Sequence, residues 1–350
     1  MSKKEILPVF LSCQGESLSD DEKRLFTEYN PLGVCLFSKC CANVRNKEQV
    51  FNLVTEIKQV LERDDVLIAV DQEGGRVRRL LDPEFTAVAA PQNLTSEELA
   101  REHAYLISAD LHGCGINVNF APVLDTMHET TSASLQGRCF SNNIAALGKA
   151  MVDEYIRQGI CPCVKHLPGH GRAAADPHLN LPVIYDELSV MEEDFAPFRA
   201  LNNAPMGMVA HVVVNAVDPD NAATVSAKVI ERIVRGSIGF RGLLVSDAIN
   251  MRALPGSIAE KAQRCIAAGC DVVCLGNVDF AANVELCRSG IRMSEAAEQR
   301  LSEVNKIIAG KGDFAQYEQV KNKYCEKLEN IISYDYGYDA TEVLNKLRQV

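Results

Sequence analysis

Near-continuous apolar runs recur along the chain at residues 6–13 (ILPVFLSC), 33–38 (GVCLFS), 66–71 (VLIAVD), 116–125 (INVNFAPVLD), 161–166 (CPCVKH), 206–214 (MGMVAHVVV), 243–247 (LLVSD) and 271–276 (DVVCLG). Hydrophobicity without strict alternation marks strands buried on both faces, the condition of a parallel sheet covered by helices. Between the runs lie segments with helical periodicity, among them 46–62, 96–113, 227–239 and 257–269. Several end at glycine, which suits the left-handed residue after a helix. About eight strand–helix units in one alternating series predict an α/β chain folded as a single (β/α)8 TIM barrel rather than a doubly wound sheet. The barrel is expected over about 5–293 and a helical C-terminal extension over about 294–350, so that 1–350 forms one domain. The extension, with its Tyr-rich SYDYGYD at 333–339, shows no chemistry of its own and is expected to pack on the barrel or on another subunit.

In this fold, active sites gather where the strands end. Polar residues stand there: Asp71 followed by QEGGR, Asp125, Lys165 with His166, His211 and Asp247. The densest segment is VKHLPGHGRAAADPH at 164–178, which places a cation, three histidines and a carboxylate after one apolar run. Pro168, Gly169 and Gly171 allow the tight backbone of a loop folded over a pocket. Asp176 and His178 are separated only by Pro177. An Asp close to a His can accept its Nδ1–H, fix the tautomer and raise its basicity, the arrangement general acid–base chemistry uses.

Composition narrows the ligand. The chain has 350 residues, 47% of them hydrophobic, and a formal charge of −11, which argues against nucleic acid as a partner and for a small or neutral ligand. The N-terminal MSKKEILPVFLSC is too briefly apolar for a secretory leader, and no run reaches the roughly 18 apolar residues of a membrane span. The 13 cysteines are scattered, many inside apolar runs (Cys35, Cys274), where a thiol is a small hydrophobe. That distribution predicts a reducing cytoplasm rather than a disulfide framework. Cys161-Pro-Cys163 and Cys40-Cys41 lack zinc-ligand spacing, so no metal is expected. GGRVRR is not a dinucleotide fingerprint, and no cofactor is expected.

Four segments, DQEGGRV (71–77), NVNFAPVLD (117–125), KHLPGHG (165–171) and LLVSDAINM (243–251), occur in the order of the signatures of family 3 glycoside hydrolases, which the first 280 residues or so resemble. The chain is most similar to the family's one-domain cytoplasmic β-N-acetylglucosaminidases of peptidoglycan recycling. The resemblance implies a retaining exo-β-N-acetylglucosaminidase, a β-N-acetylhexosaminidase, that removes terminal non-reducing β-linked GlcNAc from muropeptides. It implies Asp247 as the nucleophile, with the loop residue His178, oriented by Asp176, as acid–base in place of the carboxylic acid most retaining enzymes use. Asp71, Arg79, Arg138, Lys165 and His166 are implied as the sugar-binding set.

Two departures stand out. Family members usually carry Ser or Thr between the loop Asp and His, where this chain has Pro177, and Ser where it has Cys139. Proline restricts φ and removes an N–H, which makes a stiffer loop. The alternatives are a β-N-acetylglucosaminide phosphorylase, a β-glucosidase of the same family, a catalytically weakened sugar-binding protein and an aldolase-like barrel with a Schiff base on Lys165. The natural aglycone and the choice between monomer and homodimer stay open.

Overall fold

The computed structural model describes residues 4–37, 43–174 and 181–328. Strands β1 (Leu7–Ser12), β2 (Pro31–Cys35), β3 (Leu67–Val70), β4 (Val118–Asn119), β5 (Cys161–Leu167), β7 (Met206–Val209), β9 (Leu243–Ser246) and β10 (Val273–Cys274) pair in parallel, in the order β10-β1-β2-β3-β4-β5-β7-β9. A parallel bridge from Val245 to Val272 and the Ser246 N–H bond to the Val272 carbonyl at 3.0 Å join β9 to β10 and close the ring. The chain therefore forms the (β/α)8 barrel its apolar runs predict. The run 206–214 is not one strand, however. It breaks after Val209, and its end, β8 (Val213–Val214), pairs with β6 (Val183–Ile184) outside the ring. Hydrophobicity alone cannot distinguish one long buried strand from two short ones.

The covering helices are α1 (Asp20–Tyr29), α2 (Lys47–Leu61), α3 (Glu97–Gly113), α4 (Ile144–Arg157), α5 (Glu192–Ala200), α6 (Ala227–Val229), α7 (Ile258–Ala268) and α8 (Phe280–Cys287). α6 runs directly into a π-helical stretch, Ile230–Ser237. Helix starts follow side-chain chemistry: Ser19 and Ser257 each exchange hydrogen bonds with the residue three positions on, Glu22 and Glu260, satisfying orphan N–H groups at both ends of the exchange. Among the described residues the extension forms α9 (Glu295–Ile308) and α10 (Tyr317–Leu328).

Strand parity is what builds the site. In β3, Leu67 and Ala69 point into the barrel while Ile68 and Val70 face the helices; Cys161 and Cys163 in β5, and Leu243 and Val245 in β9, point inward in the same way. Two residues further along each strand come Asp71, Lys165 and Asp247, carried by the same alternation to the barrel's mouth. Below them the interior is filled by Phe10, Phe120, Met206, Met208 and their neighbours, so the barrel has a packed floor and not a channel. From α9, Leu301 and Val304 join this interior cluster, and Arg300 bonds Asp271, two residues before β10. α10 lies on α3, with Lys323 and Lys327 bonded to Glu98 and Glu102 and Tyr324 fully buried. No helix among the described residues is long and apolar enough to cross a membrane.

Candidate active site

A single pocket at the C-terminal ends of the strands is lined by Asp71, Arg79, Arg138, Lys165, His166 and Asp247. These are six of the eight residues singled out from sequence; Asp176 and His178, with Pro177 between them, lie outside the described residues. The Lys165 ammonium bonds Asp71 at 2.8 Å and Glu73 at 2.6 Å. Arg138 grips Glu73 with two parallel bonds, Nε to Oε2 and Nη2 to Oε1, both 2.8 Å. Arg79 completes the set, its Nη2 3.3 Å from Asp71 Oδ2 and its guanidinium stacked over Phe37 at 5.8 Å. Arg79 is only 8% exposed, so the basic RVRRL turn is not simply a solvated face.

Buried charges of this kind persist only when each has a partner. Burial pushes the Glu73 carboxyl upward, but Arg138 and Lys165 outweigh it and hold it far below the usual carboxylate range. Asp71 is held down by the same balance, burial opposed by Lys165 and Arg79. Burial would lower the Lys165 ammonium, yet Asp71 and Glu73 keep it above its ordinary value. A charged amine of this kind is a poor Schiff-base nucleophile, which removes the physical basis of the aldolase-like alternative. Two of its three N–H groups are used by the carboxylates, leaving the third for a hydroxyl in the pocket.

Glu73 was not among the residues picked from sequence, although it lies within the DQEGGRV segment. It sits on a loop, where strand parity says nothing about direction. The loop is built by glycine: Gly74 has φ 108°, and a Cβ there would stand 2.3 Å from the Ala89 carbonyl oxygen. Gln72 stitches the loop's return, accepting the N–H groups of Arg79 and Leu80 at 2.8 and 3.0 Å.

His166 is aimed by a bulge. Lys165 pairs with Met208 and Leu167 with Val209, so His166 is an extra residue in β5 and turns towards the pocket beside Lys165. Its Nδ1 lies 2.6 Å from Asp125 Oδ2. A carboxylate only accepts, so Nδ1 carries the proton, and Nε2 faces Arg138 Nη2 at 3.5 Å. Asp125 is completely buried and also accepts the His170 N–H at 2.7 Å; burial raises its carboxyl, but His166 more than reverses this. His170 lines the pocket too, its two ring nitrogens without a hydrogen-bond partner among the described residues, and burial lowers its imidazole to about 4. His211 does not reach the pocket wall. It is buried, bonded to Thr224 and the Ala248 carbonyl at 2.7 and 3.1 Å, and braces the turn that follows Asp247.

Asp247 stands at the end of β9. Its N–H binds the Val209 carbonyl at 3.0 Å, and its Oδ1 accepts the Ala248 N–H at 2.7 Å, which fixes the plane of the carboxylate. Among the described residues, the group with metal-site spacing is His128 with Glu193 and Asp194. Arg172 donates to both of those carboxylates, so a guanidinium already supplies positive charge there.

Residues 8–307 match the Glycosyl hydrolase family 3 N terminal domain. The chain belongs to glycoside hydrolase family 3. It is 33% identical over 313 residues to a beta-hexosaminidase of Bordetella parapertussis, covering 84% of this chain and 86% of that one. Native NagZ from Neisseria gonorrhoeae superposes with a TM-score of 0.76 at 30% identity, over 93% of this chain and 96% of that one. A family 3 beta-N-acetylglucosaminidase from a Paenibacillus strain gives a TM-score of 0.82 at 28% identity, over 91% of this chain and 67% of that one. The matched region extends past residue 293 to include α9, whose Leu301 and Val304 belong to the barrel's interior.

Proposed function

We propose that this glycoside hydrolase is a retaining exo-β-N-acetylglucosaminidase acting on terminal non-reducing β-linked GlcNAc, with cytoplasmic muropeptides such as GlcNAc-anhydroMurNAc as its substrates. The observation that carries the reading is one carboxylate, Asp247, set by strand parity in the same blind pocket as the Asp71–Lys165–Glu73–Arg138 charge cluster. A pocket closed below by a packed floor supports removal of a terminal sugar rather than passage of a long chain. The beta-hexosaminidase relatives support the 2-acetamido preference.

In the first step an Asp247 oxygen attacks the anomeric carbon, the bond to the leaving oxygen breaks, and that oxygen takes a proton from the acid–base group. In the second, water attacks the same carbon, the acid–base group takes its proton, and the Asp247 ester bond breaks to release GlcNAc with its configuration retained. Asp71 accepts ring hydroxyls, while Lys165, Arg79, Arg138 and His166 complete the polar wall. By resemblance His178, oriented by Asp176, is the acid–base group. The free thiols of the described cysteines, ten of eleven buried, are compatible with a reducing cytoplasm.

An aryl β-N-acetylglucosaminide assayed beside the matching β-glucoside tests the reading. The first is expected to turn over at least about 100-fold faster in kcat/KM, a lower bound set well under the roughly 10⁴–10⁵-fold by which a site built to bond a polar group rejects a substrate lacking it. Equal rates, or a preference for the glucoside, contradict it. A sugar phosphate formed when phosphate is added makes the enzyme a phosphorylase.

His178→Ala is expected to cost disaccharides roughly 10²–10⁴-fold in turnover and activated aryl glycosides far less in glycosylation, because a good leaving group scarcely needs a proton. With no base for the second step, the glycosyl-enzyme should accumulate in a mass spectrum. Equal losses on all substrates, without accumulation, would move the role elsewhere, first to His166, which Asp125 already orients.

A further inference from the structure

We propose that His103 on α3 and Tyr324 on α10 are positioning residues for the sugar pocket, holding the Glu73 main chain in place and, through Glu73, the two cations it carries. Two hydrogen bonds run in series from Tyr324 on α10 to the pocket, and a third ties Tyr324 to Ala89. The Ala89 N–H donates to Tyr324 Oη at 2.9 Å, Tyr324 Oη lies 2.7 Å from His103 Nδ1, and His103 Nε2 lies 2.9 Å from the Glu73 carbonyl oxygen.

The direction of each bond follows from chemistry. A carbonyl oxygen only accepts, so His103 Nε2 carries the proton. The imidazole is fully buried, and burial lowers it to about 4, so near neutral pH it holds one proton and Nδ1 is an acceptor. Tyr324 therefore donates its hydroxyl proton to Nδ1 and accepts from Ala89. Each of the three links is satisfied in one arrangement only, which makes the series a rigid strut rather than a loose contact.

The strut bears on the segment that most needs support. A Cβ at Gly74 would stand 2.7 Å from His103 Cε1, so the glycine loop lies directly on the imidazole. Gly75 N–H bonds the Val88 carbonyl at 3.2 Å, tying the loop to the segment whose next residue, Ala89, is held by Tyr324. Glu73 is thus fixed at both ends, by His103 at its carbonyl and by Lys165 and Arg138 at its carboxylate. A Glu73 free to shift would carry the Lys165 ammonium and the Arg138 fork away from the sugar ring. Asp247 hangs on β9 and the Ala248 N–H, outside this series. The inference gives α10 a part in substrate binding, and it rests on the sugar-binding reading of the pocket.

The test compares Tyr324→Phe, His103→Leu, His103→Gln and Lys327→Ala in the full chain. Tyr324→Phe removes one hydroxyl without changing shape, and His103→Leu removes the donor to Glu73. Each is expected to raise KM for an aryl β-N-acetylglucosaminide by roughly tenfold, the size of one lost buried hydrogen bond, with kcat changed by less than about threefold. His103→Gln keeps an N–H donor of similar reach and should recover part of the loss. Lys327→Ala weakens the docking of α10 on Glu102 without touching the strut, and should leave KM at the wild-type value. Amide exchange across 71–77 is measured on the same proteins and should quicken about tenfold in Tyr324→Phe. Unchanged KM and unchanged exchange in Tyr324→Phe and His103→Leu, whatever their melting temperatures, overturn the inference; so does a KM shift in Lys327→Ala equal to that in Tyr324→Phe. If the wild type proves inert towards the glycoside, the sugar-binding reading fails, and the exchange data still decide whether the strut holds the Glu73 loop.

Discussion

Asp247→Ala is expected to abolish turnover, with kcat on an aryl β-N-acetylglucosaminide falling by roughly 10⁴-fold or more, the scale on which a covalent nucleophile's loss is felt when its partners cannot act without it. Binding should survive. The charges proposed to hold the sugar, Asp71 with Lys165 and Glu73 with Arg138, are bonded to one another, so GlcNAc should bind the variant within a few-fold of wild type. Calorimetric titration of GlcNAc into the variant separates this from collapse of the pocket. Only a minor loss of kcat would mean that Asp247 is the N-terminal cap of the turn at Ala248, which its Oδ1 bond to that N–H would equally serve.

The second large effect is on stability. Glu73→Gln keeps the shape of the side chain and removes the charge that Lys165 and Arg138 share. Glu73 is 1% exposed and Lys165 2%, so solvent cannot take its place. Losing one partner of a buried charge network costs about 3–5 kcal/mol, which in a chain of 350 residues lowers the thermal midpoint by roughly 4–7 °C. The effect has a pH signature. The Glu73 carboxyl is depressed in the folded protein, chiefly by Arg138 and Lys165 acting against burial. Its contribution is therefore fully present above the unfolded carboxyl value of about 4.3 and drains away as pH falls below it. Wild type and Glu73→Gln should differ most near pH 7, and the gap should narrow steadily as pH falls from about 4 to about 2. A constant gap across that window would mean that shape, not charge, sets the cost.

The barrel was legible because its strands are buried on both faces, which leaves little ambiguity in the apolar runs. Asp71, Lys165 and Asp247 were legible for the same reason: each continues an inward parity already set by two apolar residues. Arg79 and Arg138 lie on loops, and only their resemblance to family signatures drew attention to them. Glu73 was missed between two noticed features, Asp71 and the glycine pair, since nothing in loop sequence tells which way a carboxylate points.

The first helix is hard to read from sequence because its start, Ser19-Asp20-Asp21-Glu22, looks like an acidic surface stretch until the reciprocal Ser19–Glu22 bonds are seen. In α5, Pro197 hides the periodicity. The split of 206–214 into two strands depends on what Val213 pairs with, a tertiary fact. The contact between His103 and Tyr324 spans 221 residues, and in sequence Tyr324 is simply one aromatic on an amphipathic helix of the extension.

The proposed mechanism stands on the attack of Asp247 on the sugar. Incubating the protein with a fluorinated, slowly hydrolysed N-acetylglucosaminyl donor, followed by proteolysis and mass spectrometry, tests it most directly. One added glycosyl group per chain is expected, located on the peptide containing residues 243–251 and on Asp247 within it, and none in Asp247→Ala. An adduct on another carboxylate, or full activity on the natural linkage with no adduct at any time, would contradict it.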